Sequence, residues 1–191
     1  MPRAEAAAVA RAEDRNPGGH APCVAIDFET SGREAHYACA VGLVRIEAGV
    51  VVGRFESLLR PPSARVWFTH IHGLTWRDLK DQPTFAEAWP EAAALLRGAR
   101  YLLAHNAQFD RRVLYACCRV AGLAAPEQPF LCTLRGARRA PLDLPSRSLD
   151  RVCAHFGIPL DHHRAGSDAE GCALIYARLR ALGVDDAVMR I

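Results

Sequence analysis

The chain has 191 residues, half of them hydrophobic and 24% charged, with a formal net charge of +3. That length suits one domain, or one domain with a tail, and the apolar share is enough for a real core. No apolar stretch nears the roughly 18 residues that cross a bilayer, charges interrupt the N-terminal segment where a secretory signal would run, and seven irregularly spaced cysteines without a Cys-x-x-Cys pair exclude an evident zinc ribbon or disulfide framework.

Such cysteine use fits a reducing compartment, so a cytoplasmic chain is expected, with most thiols serving as small core residues. Lys80 is the only lysine, which leaves arginine to carry the positive charge. Arginine suits phosphate recognition, although the alanine-rich composition points equally to a genomic bias.

Residues 1–21, carrying Pro17-Gly18-Gly19 near their end, read as a flexible leader, and 22–191 as the folded domain. "CVAIDF" at 23–28 is a continuous apolar run suited to a strand covered on both faces. "YACAVGLVRI" (37–46) and "VVVGRFESLL" (50–59) flank Glu47-Ala48-Gly49 as a hairpin, and Pro61-Pro62 stops the second strand. Thr84-Phe85-Ala86-Glu87 fits a capping box that opens a helix ending at Gly98. Pro90 must kink that helix or mark the first turn of a later one.

"RYLLA" (100–104) is a fourth strand. Asn106 is placed to cap a helix with Phe109, Val113, Ala116, Cys117 and Val120 on one side, ended by Gly122. "FLC" (130–132) is a short fifth strand. Ser148 opens a helix with Leu149, Val152, Cys153 and Phe156 at helical spacing, closed by Gly157. Ser167-Asp168-Ala169-Glu170 reads as a second capping box leading a last helix to about Leu182. Three strands followed by alternating helices and strands predict an α/β sheet with mixed strand directions.

Three stretches bear chemistry. In "CVAIDFETSG" the alternation of a strand sends Asp27 and Glu29 to one side. Two carboxylates at close range repel unless a proton or cation lies between them, and oxygen ligands of this kind suit Mg²⁺ or Mn²⁺. Equally, the strand ends here and the acids face water. In "AHNAQFDRRVL" the buried stripe turns Asp110 roughly 100° away, toward the sheet end or solvent, and the helix dipole alone favours an acid there. In "DHHRAGSDAEG" Asp168 also lies at a helix start, while His163 is either a loop histidine or a proton carrier suited to neutral pH.

Taken together and in this order, "DFE", "HNAQFD" and "HRAGSDA" resemble the three motifs of the DEDDh, or DnaQ-like, 3′-to-5′ exonucleases, which include the epsilon proofreading subunit of bacterial DNA polymerase III. The resemblance covers residues 22–182 and extends to "WFTHIHGLTWRDLKDQPTFAEAW" and "SLDRVCAHFGIPLDHHRAGSDA". It implies a ribonuclease-H-like fold, a mixed five-stranded sheet flanked by helices. It also implies a hydrolase releasing nucleoside 5′-monophosphates with two divalent cations, Mg²⁺ or Mn²⁺.

By the same resemblance Asp27, Glu29 and Asp168 hold the inner ion, and Asp27 and Asp110 support the second. His163, selected over His162 by the family's four intervening residues before the aspartate, takes a proton from water. Thr30, Ile71, His72, Asn106 and Phe109 are expected around the terminal nucleotides, the last four with packing or turn formation as an equal alternative. Arg111, Arg112, Arg138, Arg139, Arg147 and Arg164 are candidates for steering phosphates, or simply solvated. The expected partner is a single-stranded or frayed 3′ end, of DNA in preference to RNA. The middle segment is more similar to epsilon-type members than to ribonuclease T or oligoribonuclease. Only about nine residues follow the last helix, so no polymerase-binding tail is expected and a stand-alone repair or end-processing enzyme is favoured over a polymerase partner. The alternative is a non-catalytic nucleic-acid-binding or polymerase-accessory module.

Overall fold

In the computed structural model, which describes residues 21–191, the apolar run opening at Cys23 becomes the middle of a sheet. The expected leader lies outside the described residues except for Ala21. Strand β1 (Cys23–Thr30) pairs antiparallel with β2 (Ala38–Glu47) and parallel with β4 (Tyr101–Ala104). β3 (Val50–Leu58) extends the antiparallel side and β5 (Phe130–Cys132) the parallel side, giving the order β3-β2-β1-β4-β5. The mixed sheet expected from the sequence is the one found.

The β2–β3 hairpin turns on Ala48 and Gly49, with φ of 48° and 81°. A two-residue loop with both φ values positive is the turn whose twist matches the flanking strands. Along β1 the alternation sorts side chains without exception. Cys23 and Ala25 pack with residues of the C-terminal helices, whereas Val24, Ile26 and Phe28 pack with those of the middle helices. Asp27 and Glu29 share the parity of Cys23 and Ala25, and so face the C-terminal helices.

Eight helices are described. Two short ones, α1 (Thr69–His72) and α2 (Trp76–Leu79), precede α3 (Phe85–Ala94), which carries the expected Thr84–Glu87 capping box and holds Pro90 in its interior. α4 (Ala107–Ala121) follows β4, and α5 (Thr133–Arg139) follows β5. α6 (Leu149–Phe156), α7 (Ala165–Ala181) and α8 (Asp186–Met189) complete the chain. All seven cysteines are free and buried, as core residues. Among the described residues no helix is long and apolar enough to cross a membrane.

Three sequence expectations need correction. Val120 is 61% exposed, because the left-handed Gly122 turns the chain back and packs Leu123 against the core instead. Asn106 stands at the start of α4 but makes no side-chain cap bond; its backbone is left-handed, φ 73°, a conformation asparagine tolerates. The second capping box does not form. α7 begins earlier, at Ala165, and Ser167 Oγ instead accepts a hydrogen bond from the Asp161 N–H at 2.8 Å. The early start follows from close packing. A Cβ on Gly42 of β2 would lie 2.2 Å from the Ala165 carbonyl oxygen, so the absent side chain is what lets the helix N-terminus sit on the strand.

Candidate active site

The ends of β1 and β4, the first turns of α4 and α7, and helix α1 surround a cleft of about 450 Å³. Asp27 and Glu29 reach it from β1, and Asp168 from the first turn of α7. One carboxylate oxygen from each of these three lies within 4.8 Å of the others. Asp110 approaches from the opposite helical layer, beneath the cleft. Its Oδ1 accepts a hydrogen bond from the Phe28 N–H at 3.2 Å, which ties the start of α4 to the strand between the two β1 acids. The burial left open by the sequence is resolved: Asp110 is 1% exposed, Asp168 3% and Glu29 9%, with Asp27 half-buried.

Burial of four acids at one place carries an electrostatic cost. Desolvation pushes Asp27 well above the ordinary carboxylate value, and Asp110, Asp168 and Glu29 add to the push. Glu29 rises to about 7, from burial and then from Asp168. Asp110 rises from burial, opposed by the Phe28 N–H. Asp168 rises from burial, opposed by His162 and the His163 N–H. Such a cluster requires protons or cations, and its all-oxygen donor set fits hard divalent ions. The residues present therefore fit the metal that the resemblance implies.

The two histidines take unequal places. His162 Nδ1 donates to Asp168 at 2.9 Å, while His163 offers the same carboxylate its backbone N–H at 3.1 Å. Both rings line the cleft. Thr30, Ile71, His72, Asn106 and Phe109 line it too. His72 is engaged within the protein: its Nδ1 accepts from the Leu74 N–H at 3.1 Å, and its Nε2 lies 3.8 Å from Cys39 Sγ. Ile71 is 44% exposed, a large apolar side chain open to the cleft.

Two of the six arginines singled out from the sequence are committed to the protein. Arg147 donates to the carbonyls of Ala137, Leu142 and Leu144, pinning the loop before α6. Arg164 forks onto Glu56 of β3, with Nε and Nη2 donating at 3.1 and 2.8 Å. Sequence reasoning gave Glu56 no role. Its Oε1 also accepts from the Gly166 N–H at 3.3 Å, so one carboxylate on an edge strand fastens the loop that carries His163. A Cβ on Gly166 would fall 2.6 Å from that carboxylate.

His105 was likewise not singled out. Its Nε2 donates to the Arg147 carbonyl at 2.8 Å and its Nδ1 lies 2.9 Å from Thr133 Oγ1. Burial lowers it to about 4, which keeps it neutral and makes it a tie between the end of β4 and the loop before α6.

A family model described as Exonuclease (RNase_T) matches residues 24–176. The chain belongs to the DEDDh exonuclease family. It is 34% identical over 170 residues to a DNA polymerase III PolC-type protein of Thermotoga maritima, a match covering 86% of this chain and 12% of that one. It is 29% identical over 160 residues to the PolC-type protein of Bacillus cereus, covering 82% and 11%. The chain thus spans about an eighth of the length of these PolC-type relatives.

Among solved structures, an exonuclease X in complex with 5′ overhanging duplex DNA aligns with a TM-score of 0.70 at 24% identity, over 87% of this chain and 96% of the other. The nuclease domain of 3′hExo, a DEDDh member bound to rAMP, aligns with a TM-score of 0.71 at 17% identity, over 86% and 94%. These two likenesses establish the ribonuclease-H-like fold. The family model establishes an exonuclease, and DEDDh exonucleases process nucleic-acid 3′ ends with divalent metal.

Proposed function

We propose that this chain removes nucleotides one at a time from the 3′ ends of single-stranded or frayed DNA, in preference to RNA, using two Mg²⁺ or Mn²⁺ ions. Its setting is repair or end-processing in the cytoplasm. The observation that carries this reading is the convergence of Asp27, Glu29 and Asp168 to within 4.8 Å, with Asp110 hydrogen-bonded beneath them.

Ions held by these carboxylates supply charge stabilisation for the attacking and leaving oxygens of an in-line phosphodiester displacement. Asp27, Glu29 and Asp168 hold one, and Asp27 with Asp110 supports the other. His163 takes the proton of the attacking water, a task suited to an imidazole near neutral pH. Its place on the loop between Asp161 and Arg164 sets it at the cleft mouth, where solvent and substrate meet. Ile71 and Phe109 give the terminal base an apolar wall on which to stack, while Thr30, His72 and Asn106 bound the sugar and phosphate. A duplex end must fray to enter, because the acids lie on the floor of the cleft.

DNA is preferred here because the 34%-identical relative is a DNA polymerase III of PolC type. The same relative favours a second setting, in which this domain works beside a replicative polymerase. Co-elution with the cell's polymerase catalytic subunit separates the two settings.

The deciding assay uses matched 3′- and 5′-labelled single-stranded DNA and RNA with Mg²⁺, Mn²⁺ or a chelator. Stepwise shortening from the 3′ end, faster on DNA and abolished by Asp27→Ala, is expected. Inactivity on every substrate with either ion replaces this reading with that of a nucleic-acid-binding or polymerase-accessory module.

A further inference from the structure

Consecutive residues of an extended chain send their side chains to opposite sides. His162 and His163 do not. The left-handed backbone at His163, φ 68°, accompanies a stack of the two rings with centroids 3.9 Å apart and planes 20° from parallel. Both stand beside Asp168. His162 Nδ1 donates to the two carboxylate oxygens at 2.9 and 3.2 Å, and the His163 N–H adds a third bond at 3.1 Å. One nitrogen from each imidazole and one oxygen of Asp168 lie within 4.8 Å of one another.

Asp168 therefore belongs to two donor sets of different chemistry. With Asp27 and Glu29 it makes an all-oxygen set, matched to hard ions. With His162 and His163 it makes a set of two imidazole nitrogens and one oxygen, matched to Zn²⁺ and its borderline neighbours rather than to Mg²⁺. Three protein ligands of that mixture, with a fourth position open, are a common zinc arrangement. Zinc–nitrogen bonds of about 2.0–2.1 Å require the donors to draw in. Rotation of two exposed rings toward a buried, fixed carboxylate supplies that movement.

We infer that His162, His163 and Asp168 form a second cation site, selective for Zn²⁺-like transition ions, and that an ion there turns hydrolysis off. The inhibitory half rests on the proposed function, because the ion takes the Asp168 oxygen and the His163 nitrogen that hydrolysis uses. The binding half stands on the donor set alone.

The test uses the full chain stripped of metal, with Co²⁺ as the spectroscopic substitute for Zn²⁺. Titration should raise a saturable visible absorption band that excess Mg²⁺ leaves in place and Zn²⁺ removes. His162→Ala and His162→Asn should each weaken Co²⁺ binding by about tenfold or more with the melting temperature held, whereas Asp27→Asn should keep the band. In the Mg²⁺-supplied nuclease assay, Zn²⁺ should suppress strand shortening. In His162→Ala, measured against that variant's own zinc-free rate, about tenfold more Zn²⁺ should be needed. An unchanged Co²⁺ titration in both His162 variants, or loss of the band in Asp27→Asn, overturns the inference. A protein that binds Co²⁺ as described yet shortens no strand upholds the site and overturns the proposed function instead.

Discussion

The backbone N–H of Phe28 donates to Asp110 Oδ1 at 3.2 Å, across 82 residues of sequence. Phe28 lies between Asp27 and Glu29, so this bond sets the distance from the second-motif acid to the first-motif pair. Its side chain meanwhile points to the other face, into the core against Phe85. One residue thus anchors the middle helical layer by its ring and the acid cluster by its amide.

Asp110→Asn keeps an acceptor for that amide and removes a charge. Loss of several kcal/mol of transition-state stabilisation is expected, on the order of 10³-fold in kcat. The chelator-treated variant should melt no lower than the parent, since the amide keeps an acceptor for the Phe28 N–H and cannot ionise beside the other buried acids. Single-turnover nucleotide release and a thermal melt measure the two together. A variant with near-normal turnover would remove Asp110 from the metal-supporting set.

The raised acids also fix the pH dependence of the metal-free protein. Glu29 moves from its ordinary 4.5 to about 7. Between those values the folded chain holds a proton that the unfolded chain has released, so stability falls as pH rises through this window. The full shift is worth up to about 3 kcal/mol, and Asp27, Asp110 and Asp168 shift in the same direction. In chelator, the melting temperature should decline from pH 5 to pH 8 more steeply in the parent than in Glu29→Gln. Adding Mn²⁺ should flatten the curve. Parallel curves for parent and variant would show that the cluster is not the source.

How much of this was legible beforehand depends on the range of the interaction. Strand alternation alone gave the shared face of Asp27 and Glu29, and the Ala48–Gly49 turn and Thr84–Glu87 box are local chemistry readable over four residues. Asp110 was ambiguous because a helix dipole and a metal both favour an acid in a first turn; only the Phe28 contact decides its burial. The His162–Asp168 bond was invisible for a different reason. It occurs beside a left-handed backbone at His163, and histidine spacing carries no sign of that. Helix α7 starts two residues before its apparent cap because Gly42, 123 positions upstream, leaves room for Ala165.

Glu56 shows the same limit and leads to a third prediction. On an edge strand of alternating exposure it reads as a solvated acid, yet it holds Arg164 and the Gly166 N–H. The ion pair is open to solvent, with side chains 61% and 36% exposed, so its share of stability is small, at most about 1 kcal/mol. Its effect should lie in placing His163. Glu56→Ala is expected to lower kcat by roughly tenfold with KM little changed and melting shifted by only a few degrees. Glu56→Gln, which keeps an acceptor for Gly166, should recover part of the rate. A large melting loss with kcat intact would make Glu56 a structural residue alone.

Gly42 tests the packing from the other side of the same loop. It has no need of a left-handed backbone; what it provides is empty space, because Ala165 O, Ala165 C and Gly166 N would lie 2.2, 2.3 and 2.5 Å from a Cβ. All three are backbone atoms, so no side chain can rotate away, and Gly42→Ala must push the start of α7 off β2. Overpacking of this kind costs roughly 1–3 kcal/mol, read as a fall of about 2–4 °C in Tm for each kcal/mol in a chain this size. The displaced turn carries Asp168, and Gly42 pairs directly with Asp27 in the β1–β2 register. The variant should therefore bind Mn²⁺ more weakly than its stability loss explains, measured at a temperature where it is fully folded. Unchanged Mn²⁺ affinity in the folded variant would mean that Asp168 reaches the cluster without help from this contact.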